Sequence, residues 1–162
     1  MPKIELVTEI NAPIDICFDL SRSIDLHQIS TAHTSEKAIS GVTSGLIGLN
    51  EHVTWQAIHF GLKQTLSSKI TAFERPYYFV DEQIQGAFKS IYHTHKFEEV
   101  NGWVTMTDHF DFSTPCGILG KLFNVLILTS HLRKLLLKRN EIIKYYAETD
   151  QWKLVLDERK YR

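Results

Sequence analysis

The sequence predicts an α+β domain in which one face of an antiparallel sheet is covered by a long helix near the C-terminus. Three observations lead there. Residues 51–112 read as strand after strand, broken at Gly61, Glu74-Arg75-Pro76, Gly86 and Asn101-Gly102. Two short helical segments separate that run from a strand at the N-terminus. Downstream, Leu122, Val125, Leu126, Leu132, Leu135, Leu136, Ile142, Ile143 and Tyr146 recur at helical spacing. A sheet that is apolar on one face must bury it, and this helix is the available cover.

Residues 4–10 alternate as a strand and stop at Asn11-Ala12-Pro13. Pro13 suits the first turn of a helix and Asp15 its positive end, while Ile14, Cys17 and Phe18 form its apolar side. Ser23 is placed to cap a second short helix over residues 24–28. Residues 36–39 read as a brief strand and 41–50 as a loop. Beyond the strand run, Thr114 is a cap for the long helix, with Pro115 in its first turn. Thr129 and Arg139 fall on the helix stripe that should be buried.

The balance of charge and length narrows the function classes. The 162 residues suit one domain, here residues 1–147 followed by a charged tail, 148–162. Lys and Arg total 18 against 19 Asp and Glu, a net charge of −1 that lacks the electrostatic footprint of a nucleic-acid binder. Two cysteines, Cys17 and Cys116, exclude a disulfide scaffold and a Cys-rich zinc module. The apolar stretch 122–137 is broken by Asn124, His131, Arg133 and Lys134, so no transmembrane segment is expected. Without an export signal the expected compartment is the cytoplasm.

Strand phasing then places the chemistry. Asn101-Gly102 is a strong two-residue hairpin signal because both residues tolerate positive φ. Counting outward pairs Phe97 with Met106, His95 with Asp108, His93 with Phe110 and Ile91 with Phe112. Treating Gly86-Ala87 as a similar turn sets Glu82 opposite Ile91 and Val80 opposite His93. One face is then solvated, with Asp81, Gln83, Thr94, Lys96 and Thr107 among its residues. The other, apolar face holds Val80, Ile84, Ile91, Phe97, Val104, Met106, Phe110 and Phe112. It also holds Glu82, His93, His95 and Asp108. Buried charges must pair, neutralise or reach water, and Arg139 could reach Glu82 or Asp108 or snorkel to the sheet edge. A polar cluster inside an apolar wall is what a ligand cavity needs. Upstream, Trp55 and Ala57 are the expected inward pair, and Leu62, Leu66 and Ile70 share a face with Gln64 and Ser68.

Several segments resemble the START-like helix-grip superfamily (SRPBCC), and within it the small bacterial members grouped with polyketide cyclases and dehydrases. They are Trp55-Gln-Ala-Ile-His59-Phe60-Gly61, Phe79-Val-Asp-Glu82, Gly86-Ala-Phe88, His93-Thr-His95-Lys-Phe97, Met106-Thr-Asp108, and Pro115 with Gly117 and Gly120. The resemblance covers residues 3–147. It implies a helix-grip fold: a sheet of about seven antiparallel strands curled round the last helix, with a cavity between them. It also implies a ligand that is lipid-like or aromatic, bound by a carrier or transformed by a cyclase.

The expected function is binding of a small, mostly apolar ligand between sheet and helix by a non-enzymatic protein. The expected ligand-binding residues are Trp55, Leu66, Glu82, Ile84, Ile91, His93, His95, Met106, Asp108, Phe110, Leu132 and Arg139. An enzyme of cyclase, dehydratase or hydrolase type, working through His95 and Asp108, is the alternative. A filled-core interaction module, dimerising through the tail or a sheet edge, is the second alternative. The pair His95–Asp108 reads equally as a satisfied internal hydrogen bond. His93 and His95 with a carboxylate also match a two-histidine-one-carboxylate metal set, but the expectation is no metal and no cofactor. His59-Phe60-Gly61 is read as turn geometry, and Cys116 as an unactivated thiol.

Overall fold

The computed structural model describes residues 2–114 and 127–161. Strand β1 (Lys3–Ile10) leads to helices α1 (Ile14–Ser21) and α2 (Ile24–Ser30) and a 3-10 turn, Ala32–Thr34. Six strands follow: β2 (Lys37–Gly41), β3 (His52–His59), β4 (Leu62–Glu74), β5 (Tyr78–Gly86), β6 (Ser90–Val100) and β7 (Trp103–Ser113). Helix α3 (Thr129–Glu148) follows, and after it two 3-10 turns, Asp150–Leu154 and Glu158–Lys160. The seven strands make one antiparallel sheet in the order β1-β7-β6-β5-β4-β3-β2.

Local signals explain most of the boundaries. Pro13 stands at the N-cap of α1, one residue earlier than expected, and its carbonyl accepts from the amides of Ile16 and Cys17. The Ser23 hydroxyl accepts from Leu26 N at 3.2 Å, so it caps α2 as its side chain predicts. Asn101 (φ 54°) and Gly102 (φ 80°) both occupy the left-handed region, which closes the β6–β7 hairpin in two residues. That turn fixes the ladder as predicted, with His95 opposite Asp108 and His93 opposite Phe110.

The β5–β6 ladder is a correction. Asp81, not Val80, stands opposite His93, and Glu82 stands opposite Tyr92. Gly86 ends β5, and residues 87–89 link it to β6 in place of a tight turn. The resulting one-residue slip moves alternate side chains of β5 to the other face. Ile84 is 57% exposed, whereas Asp81 and Gln83 turn inward to line the cavity.

The core lies between the sheet and the helices, in two groups. Phe18 of α1 packs edge-on against Phe73, Phe79 and Phe97, anchoring the larger group. Ile4, Leu6, Ile91, Phe110 and Phe112 meet Leu128 and Leu136 in the smaller one. Residues 150–161 also join the core: Leu156 is buried, and Tyr161 donates to Asp19 Oδ2 at 2.5 Å. Thr114 is described, but the rest of the expected helix start, Pro115, Cys116, Gly117 and Gly120, and the stripe residues Leu122, Val125 and Leu126 fall within 115–126, outside the described residues. Among the described residues, no helix is long and apolar enough to cross a membrane.

Candidate functional site

Between the sheet and α3 lies a cavity of about 600 Å³ with mostly aliphatic and aromatic walls. That volume falls within the range of small-molecule sites. At one end Phe60, Leu62 and Ile127 are both exposed and part of the lining, so this end is the mouth. At the other, His93, His95 and Arg139 are buried.

The buried end is built around Asp108. Its side chain is fully shielded, and two elements, β6 and α3, supply its neighbours. His93 Nε2 of β6 donates to Oδ1 at 3.0 Å, and Asn140 Nδ2 of α3 donates to Oδ2 at 2.6 Å. His95 Nδ1 lies 2.7 Å from Oδ1 but outside hydrogen-bonding angles, its ring stacked on Phe79 at 4.2 Å. The expected pairing of His95 with Asp108 is thus a close approach, and the directed bond comes from His93. Arg139 lies 3.8 Å from the same Oδ1 and donates to the Ser21 carbonyl at 2.6 Å.

Protonation states follow from these neighbours. Burial would raise the Asp108 pKa, but the adjacent imidazoles of His93 and His95 outweigh it and hold the carboxyl well below the usual range. Burial, reinforced by His93, pushes His95 well below the ordinary imidazole value, so its ring is neutral near pH 7. Arg139 is lowered by burial and held up by Asp108 and Asp81, and a guanidinium keeps its charge through such shifts. Burial raises Asp81 against the opposing pull of a Ser68 hydrogen bond.

One nitrogen each from His93 and His95 and an oxygen of Asp108 lie within 4.8 Å of one another, a donor set able to hold a metal ion. The Asp108 oxygens are already engaged by N–H donors, with a guanidinium beside them. That arrangement stabilises the carboxylate without a metal ion.

Of the residues expected to meet a ligand, Trp55, Leu66 and Ile91 line the cavity, as do His93, His95, Phe110, Leu132 and Arg139. Asp108 stands behind the two histidines and is not part of the lining. Met106, fully buried, accepts from the Ser21 hydroxyl at 3.4 Å and is core. Glu82 and Ile84 lie off the cavity because of the β5 slip. Arg139 reaches Asp108, and no contact joins it to Glu82 among the described residues.

Sequence reasoning missed Asp81, Asn140 and a second polar group nearer α2. There His27 stacks on Trp55 at 4.1 Å, with its Nε2 3.3 Å from Glu36 Oε1. At the mouth, His59 Nδ1 and His131 Nε2 are 3.3 Å apart. Phe60, at φ 52°, packs on His131 with ring centroids 4.7 Å apart. The motif His59-Phe60-Gly61 is thus a turn that also lines the cavity.

Solved structures share this architecture. A Thermus thermophilus protein, TTHA0849, superposes with a TM-score of 0.68 at 16% identity, covering 88% of this chain and 97% of that one. Ginseng major latex-like protein 151 from Panax ginseng gives 0.64 at 17%, covering 91% and 98%. The di-domain ARO/CYC StfQ of the steffimycin biosynthetic pathway gives 0.68 at 16%, covering 90% of this chain and half of that one. The chain therefore shares the helix-grip fold of these structures. No family model and no curated protein matches the sequence.

Proposed function

We propose that this protein binds a small, mostly apolar molecule, lipid-like or aromatic, in the cavity between the sheet and α3. The observation that carries the reading is a space with mostly apolar walls and a buried polar cluster at the end away from the mouth. Burial of apolar surface at about 25 cal/mol per Å² drives entry, less the cost of ordering the ligand. His93, His95 and Arg139 orient the ligand's polar group, with Asp108 fixing the imidazoles from behind. Such use of the fold is consistent with the ARO/CYC named among its structural neighbours.

The test is a fluorescence titration with the neutral dye N-phenyl-1-naphthylamine. One dye should bind per chain, and Leu132→Trp, which fills the cavity from α3, should weaken it at least tenfold. An unchanged affinity in a folded Leu132→Trp protein would overturn the reading.

A second reading is supported by the Asp108–His95 approach. A neutral imidazole beside an ionised carboxylate can accept a proton from a bound molecule. If a co-purifying molecule is identified by native mass spectrometry, His95→Gln should then reduce its turnover far more than its binding. Equal losses leave binding alone.

A further inference from the structure

The cavity mouth carries two histidines that the binding reading does not use. His59 ends β3 and His131 lies in the first turn of α3, and His131 Nε2 and His59 Nδ1 are 3.3 Å apart across the opening. Their rings meet edge to face with centroids 5.4 Å apart, and Phe60 closes over His131 from the β3–β4 turn. This is the contact that ties the hairpin tip to the helix where both line the mouth.

A hydrogen bond between two imidazoles needs one nitrogen that donates and one that accepts. It survives with both rings neutral, or with one of them charged. It does not survive when both are charged, because neither then has an accepting nitrogen and two positive charges face each other at bonding distance. We propose that the His59–His131 pair is an acid-sensitive latch, closed at neutral pH and released on acidification to let the bound apolar molecule leave. The proposal rests on the cavity being the binding site.

The charges around the pair point the same way. Burial lowers the His131 pKa, and His59, His33 of the 3-10 turn and Lys134 of α3 lower it further. The ring is therefore neutral at pH 7 in the closed form. Glu36, just before β2, is the acid that interacts with His59. Its closer contact is with His27, 3.3 Å away, so its pull toward the charged form acts on His59 less than on His27. Since the closed form binds fewer protons than an open, solvated mouth, acid favours opening by linkage.

The test loads the full-length protein with N-phenyl-1-naphthylamine at pH 7.5 and measures its release by stopped-flow dilution at pH 7.5 and 5.5. Release should be about tenfold faster at pH 5.5 in the parent, and show no acceleration in His131→Gln or His59→Gln. His109→Gln, on β7 beside Glu5 and away from the cavity lining, should keep the acceleration. A pH step that persists in both mouth variants, or is missing from a dye-loaded parent, overturns the latch. Failure of the dye to bind at pH 7.5 overturns the cavity reading instead.

Discussion

Asn140 Nδ2 donates a 2.6 Å hydrogen bond to Asp108 Oδ2, joining the last helix to the middle of β7 inside the protein. Both side chains are almost wholly buried, so this bond fixes where the helix lies on the sheet. It also leaves the other carboxylate oxygen to the histidines.

Removing the amide should therefore be costly. Asn140→Leu keeps the branching and heavy-atom count but strips a donor from a buried carboxylate and adds bulk, and should lower stability by about 2–4 kcal/mol. Urea denaturation would measure this. A loss below about 0.5 kcal/mol would show that water replaces the amide.

Stability should fall with acid, in a sequence set by the buried cluster. In the unfolded chain His95 takes up a proton near its ordinary pKa of about 6.5, whereas the folded form resists it to well below that value. Asp108 likewise protonates in the unfolded chain near pH 4 and in the folded chain only lower. For both groups the unfolded state binds more protons as pH drops, so stability declines first below about pH 6.5 and again through the carboxylate range. Asp81, raised by burial, opposes the second decline. Urea midpoints at pH 7.5, 6.0 and 5.0 should fall steadily, and His95→Gln should flatten the upper part. An equal slope in the variant would remove His95 as the cause.

Gly102 (φ 80°) sets the register that brings His95 to Asp108. Gly102→Val forces a branched side chain into the left-handed region, at about 1–2 kcal/mol. Thermal unfolding should shift down by roughly 2–8 °C on the usual size scaling. Gly102→Asn, which tolerates that region, should shift it less.

The C-terminal residues are part of the fold. Leu156→Ala should cost about 2–4 kcal/mol as a core truncation. Tyr161→Phe should cost about 1–2 kcal/mol, since it removes a hydrogen bond to Asp19, a carboxylate also held by Arg75 and Arg22. A chain ending at Glu148 with undiminished stability would contradict this packing.

Much of this was legible where turn chemistry is explicit. Asn101-Gly102 admits one hairpin geometry, so the β6–β7 pairing, and with it the inward direction of His93, His95 and Asp108, could be counted from the sequence. Gly86-Ala87 carries no such constraint. A glycine can end a strand as readily as make a turn, and the three-residue connection shifted β5 by one place. That single step exchanged Glu82 and Ile84 for Asp81 and Gln83. Arg139 stood out as a charge on an apolar helix stripe. Asn140, its neighbour, gave no periodic signal, because a polar residue beside the stripe looks like solvent-facing surface until the sheet partner is known.

The sequence by itself determined the order of elements, the fold class and which strand pair carries the imidazoles, because alternation, helical spacing and caps act between near neighbours. Only the tertiary structure decided which β5 residues face the cavity, that His93 supplies the directed bond to Asp108, and that His59 meets His131 at the mouth. Those relationships join residues 15 to 72 positions apart. They are set by how strands slide and how a helix settles on a sheet, and packing energy summed over the whole interior selects them.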